Sequence, residues 1–426
     1  MHPLLELFID FAKRKGIIDN AFIVGGAVRD IILRKELKDI DVAAKGDAID
    51  IAKKFAQEIN GSFVLLDKEF GIARIVKDSQ FLDISIMRGD SIYTDLSERD
   101  ITINAMAIPL AGFQPSVLSL QPLNLIDPYN GENDLFNGVI KMVSEGNLIK
   151  DPLRILRIHR FAAALKFSIE ADTLNAVKRL TPLITSVAVE RIAEELRHII
   201  GLDDSYKTIK AMMDNRIFAY IFPEIGINSL HLYKNTEEIL SNLANSLQLA
   251  AYSLQPLIEY FEADYRKICL KLSTLFHIPD TAKQSAIRLK MSRKEVEFIY
   301  KMAINRSKIP NIYKETNGIV DEIKIIGLLK EFRDDAYPLI ILAIAQEPSI
   351  TAFCKEVISF YGNVFKPRAI LLPVITGNDL INVFNLKPSP MLKKILTEVE
   401  DMTLYGKITS KEEALNIVEE IFKDKS

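Results

Sequence analysis

One short stretch near the N-terminus constrains the fold more than any other part of this sequence. An apolar strand from Ala21 to Val24 runs into a glycine pair, and the pattern from Val28 to Leu33 is that of a helix. Asp39 and Asp41 then alternate with apolar residues, so a strand would direct both carboxylates to the same face. We therefore expect a strand–turn–helix–strand unit that carries two neighbouring acidic side chains.

This unit predicts a site for a metal ion and a phosphate. Paired carboxylates repel each other and are poorly tolerated without a cation, and Mg²⁺ is typically bound by one or two carboxylates plus substrate phosphates. Gly25 and Gly26 let backbone N–H groups approach a phosphate at a helix N-terminus, and Arg29 can reach the same phosphates. Each feature alone is as well explained by a tight turn or a solvated strand edge, but their order and spacing together favour the site. A P-loop is excluded because no GxxxxGK[ST] motif is present.

The rest of the chain predicts an α+β protein with an N-terminal α/β head and a helical remainder. Its 426 residues exceed the size at which single cores usually stop growing, about 250 residues. Helical and strand patterns alternate up to about residue 110, and helical periodicity dominates from Asp151 onward. The other head segments that we predict are helices at Leu4–Lys13 and Ala48–Ile59 and strands at Asp39–Ala43, Ser62–Leu66, Ile72–Val76 and Phe81–Ile86.

Composition narrows the class of protein. A net charge of −3 means that a nucleic-acid binder of this kind would have to concentrate its positive charge locally. No apolar run approaches the roughly 20 residues of a membrane span. Cys269 and Cys354 lack metal-type spacing, no HxxxH or HExxH pair occurs, and both facts argue against a zinc site. We expect a cytoplasmic protein that does not enter a membrane.

The run from Val24 to Asp30, followed by Asp39-Ile40-Asp41, resembles the signature of class II tRNA nucleotidyltransferases and bacterial poly(A) polymerases. These enzymes share a DNA-polymerase-beta-like nucleotidyltransferase head. Further runs resemble the family's later motifs in the family's order. They are Arg99–Ala105 (ribose recognition), Asp127–Leu135 (hinge), Asp151–Phe161 (base selection), Glu190–Leu196 (support of base selection) and, more weakly, Ile375–Leu380 in the tail.

The resemblance implies a role for each matching residue. Asp39 and Asp41 would be catalytic and bind Mg²⁺, and Asp83 would be either the general base or only a buried or edge aspartate. Asp151 would accept from the amine of cytosine or adenine while Arg154 donates to a ring acceptor, so that uracil and guanine are rejected. The other nucleotide-binding residues implied are Gly25, Gly26, Arg29, Arg99, Asp100, Asn104, Arg157 and Arg160.

Two positions depart from the family pattern. The family usually has Arg-Arg-Asp where this chain has Glu98-Arg99-Asp100, and many members have Glu-Asp-x-x-Arg where this chain has Lys150-Asp151-x-x-Arg154. The glutamate that would orient the base-selecting arginine is therefore missing. No adjacent His-Asp pair occurs around His277, which argues against the phosphohydrolase activity of some relatives.

The resemblance also implies partners and a domain plan. The expected substrates are the 3′ end of tRNA, CTP and possibly ATP, while the oligomeric state stays open. The expected domains are a catalytic head at 1–135, a neck with the base-selecting motif at 136–205, a degenerate HD-like body at 206–330 and a tRNA-binding tail at 331–426. A poly(A) polymerase and an inactive RNA-binding protein are the alternatives, and the intact Asp39 and Asp41 argue against the second.

The segment between Asp83 and Arg99 predicts which nucleotides are added. In family members that add all of CCA, or only the final A, the corresponding loop is longer and helps the site switch from CTP to ATP. Ile84 to Glu98 leaves room for little more than a turn and the start of a helix. A short loop has less reach, so we predict a preference for adding C residues, with full CCA addition or A addition as the alternatives.

Overall fold

The structure is a computed structural model, and it describes residues 3–37, 39–68, 70–113, 124–225, 230–247, 251–262, 264–385, 387 and 389–423. Its contacts divide the chain into two compact units. The first comprises residues 1–202 and 208–223, and the second comprises residues 203–207 and 224–426. The four-part division predicted from the sequence stays a prediction.

A mixed six-stranded sheet forms the centre of the first unit. Its order is β3-β4-β5-β2-β1-β6; β2 and β5 run parallel, and the other neighbours are antiparallel. A separate pair of two-residue strands, β7 and β8, is also parallel. The strands are β1 (Ala21–Val24), β2 (Asp39–Ala44), β3 (Ser62–Asp67), β4 (Ile72–Lys77), β5 (Gln80–Ile86), β6 (Ala107–Pro109), β7 (Val139–Ile140) and β8 (Ser168–Ile169).

Helices pack around this sheet and continue beyond it. Phe8 and Phe11 of the first helix meet Phe55 of the third with ring centroids 5.1 and 5.2 Å apart, which closes one part of the core. The helices are α1 (Pro3–Arg14), α2 (Gly26–Ile32), α3 (Ala48–Glu58), α4 (Ile92–Ser97), α5 (Gly131–Phe136), α6 (Glu145–Lys150), α7 (Arg154–Leu165), α8 (Ala171–Leu180), α9 (Val189–Gly201), α10 (Tyr206–Asp214, which begins in the second unit) and α11 (Ile217–Ile221).

The second unit is helical throughout its described residues. Every residue from Ala336 to Ala345 in helix α20 is buried, as expected of a helix that is apolar all round and lies inside a core. The helices are α12 (Leu230–Ser241), α13 (Leu243–Leu247), α14 (Ala251–Glu262), α15 (Asp264–Ser273), α16 (Pro279–Arg288), α17 (Arg293–Asn305), α18 (Lys308–Glu315), α19 (Glu322–Phe332), α20 (Ala336–Gln346), α21 (Thr351–Phe360), α22 (Lys366–Ile370), α23 (Gly377–Phe384), α24 (Pro390–Leu404) and α25 (Lys411–Lys423).

The predicted fold class is confirmed, and the predicted head segments lie within one or two residues of the observed ones. Helix α2 begins at Gly26 rather than Val28, because Gly25 takes a left-handed φ of 67° directly before it. Strands β6, β7 and β8 were not predicted, since two or three residues carry too little periodicity to be recognised. Within the described residues, none of the helices combines the length and apolar character that crossing a membrane requires.

Candidate active site of the first unit

Three aspartates meet on neighbouring strands of the sheet. Asp39 and Asp41 lie two residues apart on β2, and the parallel pairing with β5 places Asp83 directly opposite Asp41. Arg74 on β4 is the partner of Asp83 on the other side, and its Nε and Nη2 donate to the two oxygens of Asp83 at 2.8 Å each. The charge of Asp83 is thus compensated by a fork of hydrogen bonds.

The carboxylate of Asp41 lies in surroundings that oppose its charge. Burial and the facing Asp83 carboxylate raise the pKa of Asp41 to about 6, although Arg99 acts in the opposite direction. A cation at this position would remove that penalty. In the described part of the chain no three acidic, histidine or cysteine side chains are arranged to hold a metal by themselves. Asp39 and Asp41 fit Mg²⁺, which completes its shell with waters and substrate phosphates.

Gly25 lies against the Asp41 carboxylate, and a side chain at this position would be crowded and strained. A Cβ at this position would lie 3.2 Å from Arg99 Nη1 and 3.3 Å from Asp41 Oδ2, and its φ of 67° strains any other residue. The glycine turn therefore brings backbone, carboxylate and guanidinium groups into close contact. Arg99 is held in turn by the buried Asp95, which accepts from its Nη2 at 2.8 Å and from its Nε at 3.1 Å.

A chain of hydrogen bonds runs from α2 to the motif around Asp100. Arg29 Nη1 donates to Asn104 Oδ1 at 2.8 Å, and Asn104 Nδ2 donates to Asp100 Oδ1 at 3.3 Å. Arg157 of α7 donates to Asp100 Oδ2 from Nε at 2.8 Å, and its Nη2 lies 2.8 Å from the same oxygen. Burial opposes the charge on Asp100, but Arg157 and the hydrogen bonds from Asn104 and the Ile101 amide hold the pKa of Asp100 below its usual value.

The same network continues into α9 through a buried glutamate. Arg160 Nε donates to Glu195 Oε2 at 2.7 Å, and Arg157 Nη1 lies 3.6 Å from Glu195 Oε1. Phe161 lies beneath three guanidinium groups, closest to Arg160 at 4.3 Å from the ring centroid. Arg157 and Arg160 therefore have carboxylate partners within the protein, and their contact with a nucleotide stays a prediction.

The predicted base-selecting pair lies at the junction of α6 and α7. Arg191 of α9 holds the Asp151 carboxylate with two hydrogen bonds, from Nη1 to Oδ1 at 3.2 Å and from Nη2 to Oδ2 at 2.9 Å. Arg154 Nη1 donates to the backbone oxygen of Asn147 at 3.2 Å. The structure thus brings Asp151 and Arg154 to one end of α7 and supplies an orienting partner for each of them.

Sequence reasoning missed three residues that shape this site: Arg74, Asp95 and Asn147. Arg74 and Asp95 are partners of Asp83 and Arg99, while Asn147 Nδ2 donates to the backbone oxygens of Ser97 at 2.7 Å and Arg99 at 2.8 Å. Only Arg74 had a usable signal, as a charged residue within an apolar strand beside a strand that carries an aspartate. The other two depend on contacts between distant segments.

The segment between β5 and α4 is compact. Residues 87–91 connect Ile86 to Ile92, with Gly89 at a φ of 69° and Ser91 Oγ accepting from the Thr94 amide at 3.3 Å as a helix cap. The Arg88 amide donates to Asp95 Oδ1 at 3.0 Å, so the turn is tied to the residue that also holds Arg99. The loop is as short in the structure as the sequence predicted.

Three family models match parts of this chain. The family model described as the poly A polymerase head domain matches residues 21–141. Two further models match residues 166–227, as an RNA- and SrmB-binding site of polymerase A, and residues 373–418, as a second domain of tRNA nucleotidyltransferases. The range 21–141 contains the three aspartates, the glycine turn and Asp100, whereas Arg157 and Glu195 lie outside it.

Whole-length relatives extend the match. A CC-adding tRNA nucleotidyltransferase of Synechocystis is 31% identical over 410 residues, which cover 95% of this chain and 94% of the relative. A CCA-adding enzyme of Streptococcus suis is 26% identical over 434 residues, covering 97% and 94%. Among solved structures, a CCA-adding enzyme in complex with CTP matches with a TM-score of 0.73 at 23% identity, covering 99% of this chain and 96% of that one. This last likeness shows the fold.

Proposed function

The chain belongs to the class II tRNA nucleotidyltransferase family, and on that basis we propose that it is a magnesium-dependent enzyme that adds C residues from CTP to the 3′ end of tRNA. The observation that carries the proposal is the meeting of Asp39, Asp41 and Asp83 beside the Gly25 turn. In the proposed reaction the 3′-oxygen of the RNA forms a bond to the α-phosphorus of CTP. The bond from that phosphorus to the bridging oxygen breaks, and pyrophosphate leaves.

Asp39 and Asp41 would hold Mg²⁺. When bound, Mg²⁺ would neutralise triphosphate charge and favour ionisation of the 3′-hydroxyl. Strand β2 directs both carboxylates to one face of the sheet, where they could bind the same ion. Burial and the neighbouring Asp83 make the charge of Asp41 unfavourable unless a cation is bound. Because a Cβ at Gly25 would crowd Arg99 and Asp41, glycine lets the backbone come close to the Asp41 carboxylate, and its N–H groups would approach the triphosphate there.

The proton of the 3′-hydroxyl needs an acceptor. Asp83 lies beside Asp41 and is the candidate general base, although both of its oxygens already accept hydrogen bonds from Arg74. Each carboxylate oxygen has a second lone pair, so these bonds leave acceptor capacity for the proton. The other role for Asp83 is to hold Arg74 and set the charge around Asp41.

Sugar and phosphate recognition would fall to the network that begins at Arg29. Arg29 Nη2 lies beside the glycine turn, 3.3 Å from where a Cβ of Gly26 would stand, and would donate to a phosphate there. Arg99 Nη1 lies beside Gly25 of the same turn. Asp100 and Asn104 would orient the ribose, while Arg157 and Arg160 hold the carboxylates of Asp100 and Glu195 in position.

Base selection would rest on Asp151 and Arg154. Asp151 would accept from the exocyclic amine of cytosine, and Arg154 would donate to the adjacent ring acceptor, which imitates a base-pairing edge. Uracil presents the opposite polarity at both positions. Arg191 holds the Asp151 carboxylate in one orientation, so this acceptor would be in place before the base binds.

The preference for C over A rests on two observations. The turn at residues 87–91 is short and tied to Asp95, so it offers little freedom to remodel the pocket after two additions. The relative from Synechocystis, which matches over nearly the whole chain, is named a CC-adding enzyme. We propose that CTP is the preferred substrate in the cytoplasm, and that full CCA addition is the alternative.

Product sequencing tests the proposal directly. Purified protein is incubated with Mg²⁺, CTP, ATP and tRNA that lacks its terminal triplet, and the products are sequenced. We expect tRNA that ends in CC. A complete CCA end would overturn the CC preference but keep the family function, while long A tails on RNA would favour the poly(A) polymerase alternative. Absence of any addition, with folded protein, would contradict the enzymatic function.

A further inference from the structure

The two positions at which this chain departs from the family pattern contact each other. Lys150 Nζ donates to Glu98 Oε1 at 3.0 Å, joining the end of α6 to the residue directly after α4. Where the resembling family usually has arginine and then glutamate, this chain has glutamate and then lysine. The signs of the two charges are exchanged relative to that pattern, and in this chain the two side chains attract each other. Two departures that look independent in the sequence therefore form one ion pair.

The pair connects the two halves of the nucleotide site. Glu98 directly precedes Arg99 and Asp100, and Lys150 directly precedes Asp151. The ion pair therefore helps to fix the distance between Arg99 and Asp100, which would bind phosphate and ribose, and Asp151, which would bind the base. The Lys150 hydrogen bond also holds the pKa of the Glu98 carboxyl below its usual value, which keeps the pair charged near neutral pH.

A second contact ties the same two segments together. The buried Asn147 of α6 donates from Nδ2 to the backbone oxygens of Ser97 and Arg99, which flank Glu98. The backbone oxygen of Asn147 accepts from Arg154 Nη1 at 3.2 Å. A shift of α6 relative to the segment around Glu98 would therefore move the acceptor that orients Arg154.

We propose that Glu98 and Lys150 are positioning residues for base selection: as a charge-exchanged pair they hold α6 against the segment before Arg99, and through Asn147 they orient Arg154. The inference rests on the proposed function, since it concerns the choice of CTP over UTP. In this role the pair replaces the support for Arg154 that the glutamate of the family motif would give. Neither residue touches the nucleotide in this role.

Charge reversal separates this role from that of an ordinary surface pair. Glu98→Arg places two cations together, Lys150→Glu places two carboxylates together, and the double variant restores attraction with the family's own signs. The readout is the ratio of kcat/KM for CTP to that for UTP on tRNA without its terminal triplet. We expect each single variant to lower this ratio about 3- to 5-fold, within the range of an exposed pair, and the double variant to recover it to within about 2-fold of wild type.

A matched control is the ion pair between Arg14 and Glu58, which joins α1 to α3 and is exposed to a similar degree. Glu58→Arg should leave the CTP-to-UTP ratio unchanged. Raising the salt concentration should shrink the difference between single and double variants, because salt screens exposed charges. Melting temperatures of all variants show whether they are folded.

The outcomes are distinct. Single variants with wild-type selectivity, or a double variant whose loss is the sum of the single losses, would overturn the positioning role. Equal losses in Glu58→Arg would show a general effect of surface charge and would overturn it as well. A wild-type protein without nucleotide addition would contradict the proposed function instead.

Discussion

Asp41 and Asp83 are direct partners in the parallel pairing of β2 with β5, although helix α3 and the β3–β4 hairpin separate them in the sequence. Arg74 neutralises Asp83 from the next strand, while Asp41 has its pKa raised to about 6 by burial and by the facing carboxylate. This arrangement has an energetic cost that a bound cation would relieve. Five predictions follow from it and from its surroundings.

Asp41→Asn should separate activity from stability. We expect nucleotide addition to fall by roughly 10³-fold or more, because the metal's contribution to the transition state is lost. The melting temperature without Mg²⁺ should stay equal or rise, because a buried charge facing Asp83 is removed. Steady-state kinetics and thermal unfolding measure the two effects, with the exposed Asp10→Asn as control. Substantial activity in Asp41→Asn would refute the assignment of this carboxylate.

Removal of the metal should be visible as a change in stability. A ligand that binds only the folded state raises its stability in proportion to the logarithm of ligand concentration. The melting temperature of the wild type should therefore be higher in Mg²⁺ than in a chelator. For Asp41→Asn the difference between these two conditions should be much smaller. An equal Mg²⁺ effect in both proteins would place the bound ion elsewhere.

Asp100→Asn should cost stability as well as activity. Its buried carboxylate accepts from Arg157, Asn104 and the Ile101 amide, and the substitution leaves Arg157 without a full partner. Breaking one side of such a pair costs roughly 3 kcal/mol. Denaturant unfolding measures the loss. The double variant Asp100→Asn/Arg157→Gln should lose less than the sum of the two single variants, and strict additivity would speak against the coupling.

Arg191→Ala should weaken base selection, although in our proposal Arg191 contacts Asp151 and not the base. Arg191 holds both oxygens of Asp151, so its loss frees the carboxylate to rotate. We expect the preference for CTP over UTP to fall by about 10-fold, the scale of one good bidentate contact. Arg179→Ala, which removes an exposed pair with Glu145, is the control. Unchanged selectivity in Arg191→Ala would mean that Asp151 is oriented by other groups.

His159 should make stability depend on pH. Burial lowers the pKa of His159 to about 4, and its Nε2 has no hydrogen-bond partner within the described residues. The unfolded chain binds a proton near pH 6.5 and the folded chain does not, so stability is lost as the pH falls from about 6.5 to about 4, by roughly 3 kcal/mol at most.

Substitution isolates this contribution. His159→Leu should flatten the dependence of unfolding free energy on pH between about pH 7.5 and about pH 5, whereas Leu7→Gln, an exposed substitution that removes no titratable group, should not. Urea unfolding over that range provides the measurement. If His159→Leu and the wild type kept parallel curves, protonation of this histidine would not be coupled to unfolding.

Much of the candidate site was predictable because its chemistry is local. The alternation at Asp39 and Asp41 and the glycine turn at Gly25 can be read from neighbouring residues, since a strand and a turn are set by short-range geometry. The order of later motifs also indicated that Asp100 and Asp151 belong to one site. The compact turn after β5 followed from the short distance between Asp83 and Arg99 along the chain.

The tertiary structure alone decided which charges meet. Nothing in the local pattern places Arg157 on Asp100 or Lys150 on Glu98, because helix packing is set by side chains far apart in sequence. For the same reason, the sequence presented Glu98 and Lys150 as two separate departures from the family pattern. By itself the sequence determined the fold class and which carboxylates are the candidates for catalysis, whereas packing of the helices and register of the strands determined how their neighbours orient and neutralise one another.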